Sequence, residues 1–443
     1  MPVKTSRKNM HDFGDHFIVR GGKKLHGTIE TNSSKNGAVA LLCASLLNHG
    51  ITTFKKMPHI EEVYRIIEVL ESIGVSTKWS GNTLTISRPR ILSLKNIHTE
   101  SAKRTRSIIM FIGALIHEMR SFSLPQSGGC KLGSRTVRPH FYALENIGVN
   151  IQTKKDAYQV SHRDLFPASF LMFEPGDTAT ENAILGVSRL HGTSTIKHAS
   201  ANYMVQELCY FLRELGVPIE GIGTSTLTIV GTPKIEKNIT YTISEDPTDA
   251  MFFLASAIVT NSTITITRAP IEFLEAELLH LEKMGFRYSL SKRYKGENGV
   301  IELVDITTKP SHLVALPEKI HARPFPAINM DNLPFFAVIA TQAEGTTLIH
   351  DWTYEKRALY YTELDKLGAN TTLADPHRIF IRGKTPLKSA ELICPPALRP
   401  ATILLVAMLA AEGTSTLRNI YSIRRGYEDI AQRLASIGAD IEE

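Results

Sequence analysis

The segment SLPQSGGCKLGSRTVRPH, residues 123–140, sets a thiol, Cys130, directly after two glycines and follows it with Lys131, Arg135 and Arg138. Cationic neighbours favour the thiolate, the nucleophilic form of cysteine. The segment is polar and glycine-rich, so a reactive thiol outweighs the commoner reading of a lone cysteine as a small buried hydrophobe. A second set of residues is cationic and recurs. Lys35 and Asn36 in TNSSKNGA, Lys103 and Arg106 in KRTRS, and Arg399 in PPALRPA stand at the starts of apolar helices, while Arg135, Arg357 and Arg425 lie near the starts of amphipathic ones. Helix N-termini carry unpaired N–H groups and the positive end of the macrodipole, which favour anions. If the helices pack symmetrically, these cations converge on a pocket for a small anionic ligand.

The elements that must position them repeat along the chain. A Gly-Thr-type strand, an amphipathic helix and a Leu/Ile-Gly ending recur in GITTFKKMPHIEEVYRIIEVLESIGV (50–75), GTSTIKHASANYMVQELCYFLRELGV (192–217), GTTLIHDWTYEKRALYYTELDKLGA (345–369) and GTSTLRNIYSIRRGYEDIAQRLASIGA (413–439). Two weaker copies end near Gly148 and Gly285. The terminal glycines Gly74, Gly148, Gly216, Gly285, Gly368 and Gly438 are about 70 residues apart, except where KRYKGENGV and its neighbours lengthen the fourth interval. In the first copy Ile60, Val63, Ile66, Ile67, Leu70 and Ile73 form one helical stripe. Ahead of each copy stands a segment apolar nearly all round: AVALLCASLL, SIIMFIGALI, NAILGVSRL, AMFFLASAIV, FFAVIATQA and ATILLVAMLAA. Such helices belong inside a protein, so each unit contributes a central helix, an outer helix and strands between. Six units exceed one ordinary core, and three plus three, divided near SEDPTDA (244–250), is expected over an open solenoid.

Composition narrows the function. A chain of 443 residues, 43% hydrophobic, can hold two full cores. Its +6 charge comes without a dense basic block interleaved with aromatics, which argues against nucleic acid and for an anionic metabolite. Cys43, Cys130, Cys209 and Cys394 form no CxxC or CxxH cluster, and the histidines have no ligand spacing; no disulfide, metal or cofactor is expected. Cys43, Cys209 and Cys394 read as packing residues. With no secretory apolar core at residues 1–15 and no apolar run long enough to span a bilayer, a cytoplasmic protein is expected.

Together, SSKNGA, SLPxxGGCxxGxR, the FP…MDN region before EGTT, LRPA and IxRGYE resemble the UDP-N-acetylglucosamine enolpyruvyl (1-carboxyvinyl) transferase family, from about Phe17 to the C-terminus. The resemblance implies a mixed α/β fold of two domains, each of three βαβαββ-type units in an inside-out barrel, with residues 35–245 in one and 1–34 plus 246–443 in the other. It implies transfer of the enolpyruvyl group of phosphoenolpyruvate to a nucleotide-sugar hydroxyl, the opening step of peptidoglycan synthesis, in a monomer or weak homo-oligomer. Cys130 would be the proton donor on a moving loop and the target of the epoxide fosfomycin. Lys35, also catalytic, and Asn36 would bind the donor with Arg135, Arg399 and Arg425. Arg106, Arg135, Val137, Thr353 and Arg357 would serve the acceptor. Asp331 would take a proton at the acceptor hydroxyl, or simply cap the helix that follows it.

The chain also departs from the family. Arg138 stands where an aspartate reads uracil, Glu174 where a lysine is common, Gly176 for a serine, Asp177 for a small apolar residue and Thr353 for an aliphatic one. A different nucleotide or sugar acceptor, or a binding paralogue without turnover, therefore remains open beside the main reading. The shikimate 3-phosphate branch lacks the GGC segment.

Overall fold

The computed structural model describes residues 15–128 and 136–443. Its buried apolar side chains form two large cores. One draws on residues between Ala38 and Ile243 together with Phe273, Ile301 and Leu303; the other on Phe17 to Ile29 and on residues from Ala250 to Ile441.

At the centre of each core lie the apolar helices. Lys35–Ala44, Phe111–Leu115 with the 3-10 turn Arg106–Met110 ahead of it, and Asp177–Val187 touch one another in the first core. Pro247–Val259, Leu333–Ala340 and Leu398–Ala410 do the same in the second. Pro247–Val259 is buried at every position, as an all-round apolar sequence requires.

Among the described residues six small sheets stand around the helices. In five of them a parallel partner lies beside the Gly-Thr-type strand: Ile239–Thr242 beside Ile51–Lys55, Ser169–Leu171 beside Gly192–Lys197, His26–Glu30 beside Thr263–Pro270, Ile320–His321 beside Gly345–His350, and Glu391–Ile393 beside Gly413–Arg418. The early strand His16–Gly21 lies inside the last sheet, antiparallel to both Gly413–Arg418 and Asp440–Glu442, so both early strands join the second core. The chain passes between the cores at residues 30–35 and 243–246, where an isolated bridge pairs Ser33 with Glu245.

All six terminal glycines have positive φ, from 87° at Gly368 to 103° at Gly74, so the helix ends turn where a Cβ would be strained. The amphipathic segments are less uniform than their sequences suggest. Glu61–Ser72 and Tyr203–Glu214 are regular α-helices, whereas Ala358–Leu367 is a 3-10 helix and the sixth splits into Tyr421–Arg424 and Ile430–Ser436. The split contains Gly426, whose Cα faces Leu398 and Lys35 so closely that a Cβ would clash, and Asp429, held at φ 44°. The sixth outer helix is thus interrupted where it meets the start of the first central one.

Candidate active site

Lys35 opens the central helix Lys35–Ala44, which Ser34 caps by accepting from the Gly37 N–H at 2.8 Å. The Lys35 backbone N–H donates to Asp246 Oδ2 at 3.1 Å, and Asp246 in turn caps Pro247–Val259. Two central helices, one per core, therefore begin against each other. The Lys35 ammonium donates to Asn36 Oδ1 at 3.0 Å and lies 3.7 Å from Glu62 Oε2. Asn36 Nδ2 donates to the Tyr203 hydroxyl at 3.0 Å.

Glu62 joins the two cores. It is 5% exposed, accepts from Thr105 Oγ1 at 2.9 Å, and takes a 2.8 Å bond from Arg425 Nη2, a residue 363 positions away. Burial by itself would raise the Glu62 pKa, but Lys35 and Arg425 outweigh it and bring it to about 2. The acid is ionised, and it fixes both cations.

A second ion pair lies in the same seam. Arg399, at the start of Leu398–Ala410, donates from Nη2 to Asp331 Oδ2 at 3.0 Å and from Nη1 to the Tyr427 hydroxyl at 3.0 Å. Against the opposing effect of burial, Arg399, Arg357 and Lys35 hold the Asp331 pKa at about 2. Asp331 does not cap the following helix, since Asn332 holds the cap position and no side chain bonds there. Its carboxylate points to Arg399 instead. Lys35 and Arg399, one from each pair, line a small cleft together with Ser33, Asp246, Tyr427 and Glu428.

The proposed acceptor residues are more scattered. Arg106 Nη2 donates to the Thr136 carbonyl at 2.9 Å, beside Val137, which precedes the helix Arg138–Glu145 and packs partly against the first core. Thr353 is half-buried. Arg357, expected as a pocket cation for the acceptor, is fully buried: its Nε and Nη2 are held by Asp351, and Nη2 also donates to the Met330 carbonyl at 2.7 Å. It sits beneath the Asp331 segment, with only Nη1 lacking a partner. Asp177 turns its carboxylate to Ser200 Oγ at 2.6 Å and Asn202 Nδ2 at 3.2 Å, so one of the two acids flagged in loop 174–178 is bonded within the first core.

Cys130, Lys131 and Arg135 lie outside the described residues. Among the described residues Lys35, Asn36, Arg425, Asp331 and Arg399 come together, and Arg106 reaches the same region through Thr105, which caps its turn while bonding Glu62. The sequence reading missed Glu62, Asp246, Tyr203 and Tyr427. Glu62 had a signal: it lies four residues before Ile66, an acid on the apolar stripe. Cys43, Cys209 and Cys394 are buried, as packing residues should be. Among the described residues no helix is long and apolar enough to cross a membrane.

Residues 19–434 match the family described as EPSP synthase (3-phosphoshikimate 1-carboxyvinyltransferase). The UDP-N-acetylglucosamine 1-carboxyvinyltransferase of Bradyrhizobium diazoefficiens is 33% identical across 96% of this chain and 97% of its own length. That of Treponema denticola is 32% identical, across 96% and 98%. Among solved structures, the enolpyruvyl transferase NikO from Streptomyces tendae superposes with a TM-score of 0.84 at 23% identity, covering 96% of this chain and 98% of that one. EPSP synthase from Acinetobacter baumannii gives 0.75 at 17%, covering 97% and 100%. The fold is therefore the expected mixed α/β arrangement, and the chain belongs to the enolpyruvyl (1-carboxyvinyl) transferases of the EPSP synthase family.

Proposed function

We propose that this enzyme transfers the enolpyruvyl group of phosphoenolpyruvate to a hydroxyl of UDP-N-acetylglucosamine, releasing phosphate, for peptidoglycan synthesis in the cytoplasm. The observation that carries the reading is the seam, where Lys35, Asn36, Asp331, Arg399 and Arg425 converge from both cores. The relatives named for this reaction supply its acceptor. Of the described residues, those within 35–245 make one lobe and those within 1–34 and 246–443 the other.

The chemistry assigns each group a task. The acceptor oxygen attacks C2 of the donor while C3 gains a proton, giving a tetrahedral adduct; loss of phosphate from C2 and of a proton from C3 then restores the vinyl group. Asp331, ionised, accepts the hydroxyl proton or orients the oxygen. Lys35, Arg399 and Arg425, with Arg135, hold the donor's carboxylate and phosphate, which arginine forks suit. Cys130 supplies the proton at C3. Arg106, Val137 and Thr353 serve the acceptor, and Arg357 supports it from below the Asp331 segment. Since these groups come from two lobes, closure assembles the site.

Phosphate release from phosphoenolpyruvate tests this. The purified enzyme should release phosphate with UDP-N-acetylglucosamine present and stay silent without it. Silence with that acceptor and turnover with another nucleotide would overturn the acceptor assignment, and silence across an acceptor panel would overturn the transferase reading.

A further inference from the structure

The lengthened fourth interval has a place in the fold that the reaction does not account for. Strand Tyr294–Lys295 folds back on Glu302 and Leu303, and the Gly296 N–H to Ile301 carbonyl bond at 2.9 Å closes the turn between them. This hairpin, residues 294–303, springs from the second lobe but packs into the first. Ile301 and Leu303 are buried in the first core, and Tyr294 and Val300 pack against it.

Its polar tip lies on the crossing strands. Asn298 Nδ2 donates to Ser244 Oγ at 2.7 Å, and Glu297 meets the Lys56 ammonium at 2.7 Å. Glu245, 4% exposed, sits under the tip and is gripped by Arg268, whose Nε donates to it at 2.9 Å, with Lys56 3.7 Å away. Lys56 comes from the first lobe and Arg268 from the second. Both hold positive φ, 56° and 60°, a conformation seldom adopted by side-chain-bearing residues. The crossings are zipped together directly beneath: the Ser34 N–H donates to the Ser244 carbonyl at 2.7 Å, and the Asp246 N–H to the Asn32 carbonyl at 2.8 Å. Lys35 follows Ser34 directly, and its N–H bonds the carboxylate of the same Asp246 that caps the other central helix.

We propose that the 294–303 hairpin, with Lys56, Arg268 and Glu245, is a strap that fixes the crossing strands as a rigid pivot. Its residues are positioning residues: they set the angle at which the lobes meet, and so whether Lys35, Arg399 and Asp331 face one substrate pair. The proposal rests on the transferase reading for its kinetic consequence, though not for its structural one.

A Glu297→Gln, Asn298→Ala variant changes only the half-exposed tip and should fold. Loosening the pivot lowers the population of the closed state, and a fractional population weakens every ligand that requires closure by the same factor. KM for phosphoenolpyruvate and for UDP-N-acetylglucosamine should therefore rise together, by about tenfold, with kcat within about twofold once both saturate. Hydrogen exchange at the Ser34 and Asp246 amides should quicken by about the same factor, while amides of Pro247–Val259 keep their protection. Lys56→Met should reproduce the effect and Lys56→Arg should not. A fall in kcat at unchanged KM, or exchange that does not quicken at the two crossing amides, overturns the strap. If the wild-type enzyme transfers to no acceptor, the transferase reading fails, and the exchange measurement still decides the strap.

Discussion

The outer helices of the first and third units differ from those of the fifth and sixth. Glu61–Ser72 and Tyr203–Glu214 run unbroken for 12 residues each and press an apolar stripe onto the first core. Ala358–Leu367 winds as a 3-10 helix, and the sixth segment breaks at Gly426 and Asp429. The irregular pair carries Arg357 at its start and Arg425 at its break. Equal repeats would place equal side chains at equal heights. The seam instead needs Arg425 to reach Glu62 in the other core, and Arg357 and Tyr361 to share Asp351 under the Asp331 segment. The regular central helices supply Lys35 and Arg399, and the breaks in the outer repeat supply Arg357 and Arg425.

The largest effect should come from the broken helix. Arg425→Met removes the guanidinium from Glu62 and the site, and transferase activity should fall by at least about 100-fold. It also leaves the Glu62 carboxylate with the more distant Lys35 as its remaining cation, so melting temperature should drop. Adding Glu62→Gln should restore the melting temperature while activity stays lost. Recovery of activity in the double variant would show that Arg425 serves the ion pair alone, and the contrast between regular and broken helices would lose its functional meaning.

The regular helices should respond in the opposite way. Leu70 is fully buried on the stripe of Glu61–Ser72, inside the first core. Leu70→Ala should cost about 3 kcal/mol of stability through the cavity it leaves. Activity per folded molecule at a temperature well below the transition should stay within about twofold. A loss of activity at full folding would mean that the first unit's outer helix also tunes the site, through Glu62 on its opening turn.

How much of this was legible follows from the range of the forces involved. The six apolar segments and their glycine stops depend on local patterning, which a sequence displays, and the structure repeats them closely. Lys35, Asn36, Arg399 and Arg425 were legible because motifs and helix starts mark them. Glu62, Asp246 and Tyr427 were not singled out, because their meaning depends on partners from other elements, 363 residues away for Glu62, 211 for Asp246 and 28 for Tyr427: an acid on an apolar stripe announces an ion pair without naming it. The fate of Arg357 was illegible although its partner is only six residues away, since nothing in EKRALYY says that Asp351 will turn inward to meet it. The 294–303 hairpin could be seen only as an excess length, and its packing into the other core is a tertiary fact.

The smallest effect should come from an ionisable group inside a regular helix. Glu207 of Tyr203–Glu214 is fully buried and accepts from the Ser244 N–H at 2.6 Å, while its Oε2 has no partner and lies against Gly37. Facing it are Glu181 from Asp177–Val187, Glu245 and Asp246 from the crossing strand, and the Lys35 end of the first central helix. Burial first, then the charges of Glu245 and Asp246, push its pKa up from 4.5 to about 7, against the hydrogen bond from Ser244. The folded protein thus holds this proton more tightly than the unfolded chain. Its contribution to stability is full below about pH 4.5, declines as pH rises toward 7, and is lost above that. Glu207→Gln keeps the shape and cannot ionise, so its melting temperature should fall by a few degrees less than the wild type's between pH 4.5 and pH 8. Parallel curves for the two proteins would mean that Glu207 stays charged, and that the regular helix meets the crossing strand as an ion rather than as a neutral acid.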